Sequence, residues 1–169
     1  MIKKRLAGNQ VLIAYLQKVK VFDSYTVKPA LRAKVLGKVF KASGGAVKLT
    51  KSKKSIDFLF EVIRREKDWE VKLTERLKLY KDFYEHFQSG DSGYKIPPQI
   101  IFVCEDDKHM VEVFKEIVVN KIDIDKVKYY FTTDLKQTST SLEKSLVEFI
   151  VDDATGKYKA KNVEIKFLK

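Results

Sequence analysis

Four consecutive large apolar residues, Ile100-Ile101-Phe102-Val103, constrain this chain more than any other feature. A strand with one wet face alternates. A continuous run asks for cover on both faces, as in the central strand of a layered α/β sheet. The neighbouring pattern supplies the layers. Residues 56–64 alternate as a strand, with Phe58, Phe60 and Val62 on one face and Asp57, Leu59, Glu61 and Ile63 on the other. Residues 68–88 repeat at helical spacing through Trp69, Leu73, Leu77, Tyr80, Tyr84 and Phe87, with Asp68 placed as N-cap. After the strand Gln99–Cys104, Asp106 caps a helix over 107–120 that turns Met110, Val113, Phe114, Ile117 and Val118 inward. Residues 127–133 form a further strand. This β-α-β-α-β order predicts an α/β fold, with α+β the alternative: a mixed sheet flanked by helices. Gln99–Cys104 should lie centrally, parallel to 56–64 and beside 127–133.

The first third is less regular. Residues 8–18 read as a short helix and 19–27 as a strand ending at Lys28-Pro29. Residues 33–42 alternate as a strand, with a helical turn over 30–38 the alternative, and Ser43-Gly44-Gly45 is a turn signal that could join the strand to 46–50 as a hairpin. Lys51-Ser52-Lys53-Lys54-Ser55 is a second polar turn. Residues 142–150 fit helix and strand equally, and 163–168 read as an edge strand. The whole chain, 1–169, is expected to be one domain, its basic third (1–54) and its β-α-β-α-β portion (56–133) sharing one fold.

Charge divides the chain unevenly. Residues 1–54 hold fourteen Lys/Arg against a single acid, Asp23, while the remainder is nearly balanced within a net charge of +11. Such polarity presents a positive surface to a polyanion, nucleic acid first. The densest part, 28–54, carries Lys28, Arg32, Lys34, Lys38, Lys41, Lys48, Lys51, Lys53 and Lys54 with no acid. Solubility alone is served by mixed signs, so these nine are the expected nucleic-acid-binding residues. No apolar run approaches the roughly 20 residues of a membrane helix, and no export signal is evident, so a cytoplasmic protein without a membrane partner is expected. One cysteine, Cys104, excludes an internal disulfide and a multi-cysteine zinc site.

Catalytic signatures are sparse. Asp57 and Glu61 project from one face of a strand, and paired carboxylates can hold Mg²⁺ through oxygen ligands. The plainer reading is a pair of acids balancing nearby lysines. Cys104-Glu105-Asp106-Asp107 ends a buried strand, where open α/β sheets bind ligands, but a buried Cys usually serves as a small hydrophobe. Neither His86 nor His109 has a partner set that defines chemistry. Tyr80 and Tyr84 lie on an apolar stripe and read as core; Tyr129 and Tyr130 are the other candidates for stacking on bases. Glycine loops that cradle phosphates are lacking.

Two stretches resemble the replication-relaxation family, plasmid- and mobile-element-borne proteins linked to DNA replication and relaxation. Arg5-Leu6-Ala7-Gly8-Asn9-Gln10-Val11 is similar to the motif that opens the family's C-terminal domain. Phe60-Glu61-Val62-Ile63-Arg64, followed by Leu73, Leu77, Tyr80 and Tyr84, is similar to the family's Glu-Val-Asp-Arg strand and the helix after it. The strand 98–103 fits the next element. The resemblance implies a restriction-endonuclease-like core, in which an Asp on one strand and Glu-x-Lys on the next surround Mg²⁺. Glu61 matches the Glu. Ile63 stands where the Lys belongs, and the preceding strand, 46–50, has no acid. The implied scaffold is nuclease-like with its metal site lost. Family members usually carry an N-terminal winged helix; here the basic first third would take over DNA contact.

The leading expectation is therefore a non-catalytic DNA-binding or accessory protein of a plasmid or other mobile element, with no cofactor. A metal-dependent endonuclease using Asp57, Glu61 and Mg²⁺ is the first alternative. A module for an acidic protein partner, or a homo-oligomer, is the second.

Overall fold

The apolar run at 100–103 lies in the middle strand of a seven-stranded sheet. The computed structural model describes residues 8–14, 17, 24–28, 32–35, 38–41, 45–89, 93–119, 128–139, 144–152 and 154–163, with the backbone alone for 24–28, 32–35 and 38–41. Residues 8–14 form helix α1. The strands are β1 (Ser24–Lys28), β2 (Arg32–Val35), β3 (Lys38–Lys41), β4 (Ala46–Lys51), β5 (Lys54–Val62), β6 (Gln99–Cys104), β7 (Tyr129–Thr133), β8 (Val147–Val151) and β9 (Tyr158–Asn162). Helices α2 (Trp69–Glu85), α3 (Asp107–Val119) and α4 (Asp134–Ser139) follow β5, β6 and β7.

The sheet order is β1-β4-β5-β6-β7-β8-β9. β1, β4 and β5 pair antiparallel; β5, β6 and β7 pair parallel; β8 and β9 are antiparallel additions. The α/β class and the central, parallel placement of Gln99–Cys104 are as the sequence predicts. Alternation on β5 sorts its side chains between two layers. Leu59 joins Phe102, Cys104 and Phe131 under α2 and α3, against Leu77, Tyr80, Val113 and Phe114. Phe58, Phe60 and Val62 join Ile101 and Val103 on the opposite face, against Val11 of α1 and Leu146. Gly45 leads into β4 beneath α1, where a Cβ would come within 2.7 Å of Leu12, so glycine permits the close approach of helix to sheet.

Several expectations are corrected. Residues 33–42 are not one strand paired with 46–50. β2 and β3 pair with each other as a separate two-stranded sheet, Val35 opposite Lys38, while β4 pairs with β1 and β5. Only Leu36 and Gly37 separate β2 from β3 in the chain, and alternation does not reveal such a division. Asp68 does not cap α2 through its side chain; it adopts the left-handed conformation, φ 58°, and Trp69 N–H donates to the Glu66 carbonyl at 3.1 Å. A short polar residue tolerates that backbone where the chain reverses from β5 into α2. Val118 is 48% exposed rather than inward, because it lies at the margin of the stripe formed by Met110, Val113, Phe114 and Ile117. Helix α4 and strand β9 were not expected. The strand expected over 19–27 is described only from Ser24 (β1), and most of the edge strand expected over 163–168 lies outside the described residues. Among the described residues no helix is long and apolar enough to cross a membrane.

Candidate nucleic-acid interface

The lysines read as one field are distributed over different parts of the fold. Lys28 ends β1 opposite Ala46, while Arg32, Lys34, Lys38 and Lys41 lie on the β2–β3 ribbon. Lys48, Lys51, Lys53 and Lys54 belong to the β4–β5 hairpin. Lys48 stands opposite Asp57, and Lys51 stands opposite Lys54. Lys53 and Lys54 are exposed at the hairpin tip. Among the described residues none of these four lysines takes part in an ion pair. The hairpin tip and Glu61 lie toward opposite ends of β5, seven residues or roughly 23 Å apart along the strand.

Glu61 is buried, its side chain 4% exposed, beneath α2. Arg76 and Tyr80, one helical turn apart, converge on it. Arg76 donates from Nε to Oε1 at 3.2 Å and from Nη2 to both carboxylate oxygens, at 3.1 and 2.9 Å. The Tyr80 hydroxyl donates to Oε2 at 2.6 Å. Burial and the Glu61 charge push the Tyr80 phenol well above its ordinary range, so it remains a donor. Burial alone would lower Arg76; the charge and hydrogen bonds of Glu61 outweigh it and leave the guanidinium raised. Sequence reasoning missed Arg76. The available signal was an acid on the covered face of a strand, which requires a cation from the helix above it.

Asp57 is buried on the same face as Glu61, and after burial its charge contributes to lifting the Tyr94 phenol to about 12. The two carboxylates are four residues apart on an extended strand, roughly 13 Å, which exceeds the reach of a single ion with ligands at about 2 Å. Ile63 is apolar and packed in the core. Among the described residues no three His, Cys, Asp or Glu side chains form a group that could hold a metal ion. The residues present do not fit Mg²⁺ shared by Asp57 and Glu61. A cleft of about 240 Å³ adjoins Glu61, lined by Arg64, Trp69, Lys72 and Arg76 among others. Its charged lining is mixed, with Arg64, Lys72 and Arg76 against Glu61 and Glu75.

At the carboxyl ends of the parallel strands the charges are tied together. Arg64 donates to the carbonyls of Ile63 and Val103 and, at 2.8 Å, to Asp134. Arg65 bridges to Asp106 at 2.7 Å and to Glu112 at 3.0 Å, with Glu105 at 3.6 Å. The Arg65 hydrogen bond, reinforced by the His109 backbone N–H, holds the Asp106 carboxyl down at about 2. Asp106 thereby caps α3 as expected, accepting from His109 N at 2.7 Å. His109 is buried, its ring 5.0 Å from that of Trp69 and perpendicular to it, and burial followed by the Arg65 charge lowers its pKa. Burial also raises the Cys104 thiol far above its usual range, so it serves as core rather than as a nucleophile. Tyr80 and Tyr84 are core as expected; Tyr130 is also buried, and the half-buried Tyr129 packs edge-on against Phe102 and Phe131. His86 ends α2 with Nδ1 2.9 Å from the Asp82 carbonyl.

Compared with protein-family models, curated proteins and solved structures, the chain has no match.

Proposed function

We propose that this protein is a non-catalytic DNA-binding or accessory protein, acting in the cytoplasm on the DNA of a plasmid or other mobile element during replication or relaxation. The observation that carries the reading is the β4–β5 hairpin, whose lysines have no ion-pair partner among the described residues, while Arg64, Arg65 and Arg76 are matched to carboxylates. An unmatched row of cations is what phosphate neutralisation requires. The resemblance to the replication-relaxation family supports the association with mobile DNA. The acid-free β4 beside the Glu61-bearing β5 suits an endonuclease-like scaffold without its metal site. The engagement of Glu61 by Arg76 and Tyr80 supports a non-catalytic role, because a carboxylate so held is not presented to a metal or a water.

The test is duplex-DNA affinity as a function of salt. Several phosphate contacts should give a log K against log salt slope of several units, about −0.9 per contact, with little sequence preference. A slope near zero, or no binding at low salt, would refute the reading and favour an acidic protein partner. The same protein with Mg²⁺ or Mn²⁺ should leave supercoiled plasmid intact. Nicking that disappears in Glu61→Gln would overturn the non-catalytic assignment.

A further inference from the structure

The turn between β4 and β5 breaks two local rules within four residues. Ser52 and Lys53 have φ 50° and 65°. Two successive left-handed residues are what a tight two-residue hairpin demands, and Asn-Gly is the pair that accepts them readily. Ser-Lys accepts them at a conformational cost at both positions. Lys51 and Lys54 then stand directly opposite each other, and like charges so placed are unfavourable. Below the tip the ribbon is fastened, with the hydroxyls of Thr50 and Ser55 3.0 Å apart across the strands. The hairpin therefore holds Lys51, Lys53 and Lys54 on a defined ribbon, and among the described residues no carboxylate pairs with them. Like charges held side by side on a strained turn, with no carboxylate to answer them among the described residues, point to an anionic partner outside the fold.

We infer that the tip of the β4–β5 hairpin enters the major groove of duplex DNA, with Lys51, Lys53 and Lys54 on the phosphates that flank it. The inference rests on the DNA-binding reading above and assigns the contact to one element. A two-stranded ribbon is one of the two shapes that the major groove of B-form DNA admits, whereas the deep, narrow major groove of duplex RNA does not admit it. Cross-strand partners share a face, so Lys51 and Lys54 project together while Lys53 leads at the turn. Phosphate anions between the lysines would turn their mutual repulsion into attraction.

The experiment compares the wild type, Lys53→Gly, and a variant with Lys51, Lys53 and Lys54 all changed to Gln, in thermal melts and in salt titrations of binding. Lys53→Gly should melt higher than the wild type, since glycine accepts positive φ, yet bind DNA less tightly with a slope shallower by about 0.9. The triple variant should lose about 2.7 units of slope. A purely structural turn would give a higher melting temperature with DNA binding unchanged; that outcome overturns the inference while the DNA-binding reading survives. A Lys53→Gly protein that melts lower removes the strain premise and overturns it too. Equal affinity for duplex RNA, with equal losses in the triple variant, would reduce the contact to phosphates without groove entry and sink the groove assignment. A wild type that binds no DNA removes both readings together.

Discussion

A carboxylate as deeply buried as Glu61 must have its charge answered within the fold, and Arg76 answers it from α2 while Tyr80 adds a hydrogen bond. Removing one partner of such a pair is costlier than never having built it, because the other charge stays desolvated. Arg76→Ala should therefore destabilise the protein by about 3 kcal/mol, the low end for a buried pair, since the Arg76 side chain keeps 27% of its surface in water. Adding Glu61→Gln to Arg76→Ala should recover part of that loss, because an amide leaves no buried charge. Urea unfolding of the two variants checks both statements. A loss below about 0.5 kcal/mol for Arg76→Ala would mean that the carboxylate is hydrated and the pair is of the weak surface kind.

Helix α2 is the element that connects the sheet to this residue chemistry. Leu73, Leu77, Tyr80, Phe83 and Tyr84 are its buried residues, and Leu77 has no exposure. Leu77→Ala should cost about 2–5 kcal/mol, read from denaturant midpoints at unchanged m-value. A cost under about 0.5 kcal/mol would place Leu77 at a surface and reverse the helix's orientation. Elements of this kind were legible in the sequence because one period runs through them: 3.6 residues in α2 and α3, 2 in β5, and an unbroken apolar run in β6. The β2–β3 division was not, because both strands keep the same alternation and the break between them is two residues long. Nor was the left-handed Asp68, because a residue that can cap a helix can also reverse a chain. At the candidate site, the β4–β5 lysines and the shared face of Asp57 and Glu61 could be read directly. The Arg76 contact was legible only as a need: a covered acid requires a cation from the helix above, but which residue of α2 supplies it is set by tertiary packing across fifteen residues.

At the scale of the whole molecule, cover falls off from the middle of the sheet toward its β9 edge, and pairing is thinnest where β8 meets β7. Phe58, Leu59, Phe60 and residues 100–104 have no solvent exposure, with α2 and α3 on one face and α1 on the other. β9, by contrast, is exposed along its full length, and β8 joins β7 through the single pair Phe131↔Val147. The ribbon of β8 and β9 is thus well paired internally and attached mainly by packing, in which Phe149 stacks on Phe114 with ring centres 4.2 Å apart. Free energies of local opening follow such differences in burial and pairing. Amide hydrogen exchange should show β5, β6 and β7 opening only with global unfolding, while β8 and β9 open together at lower free energy as one unit. Phe149→Ala should widen that gap, since it removes the closer of two rings, Phe149 and Tyr158, that meet Phe114 of α3. If β9 exchanged as slowly as β6, the seven strands would open as one cooperative unit, and the idea of a separately opening ribbon would be wrong.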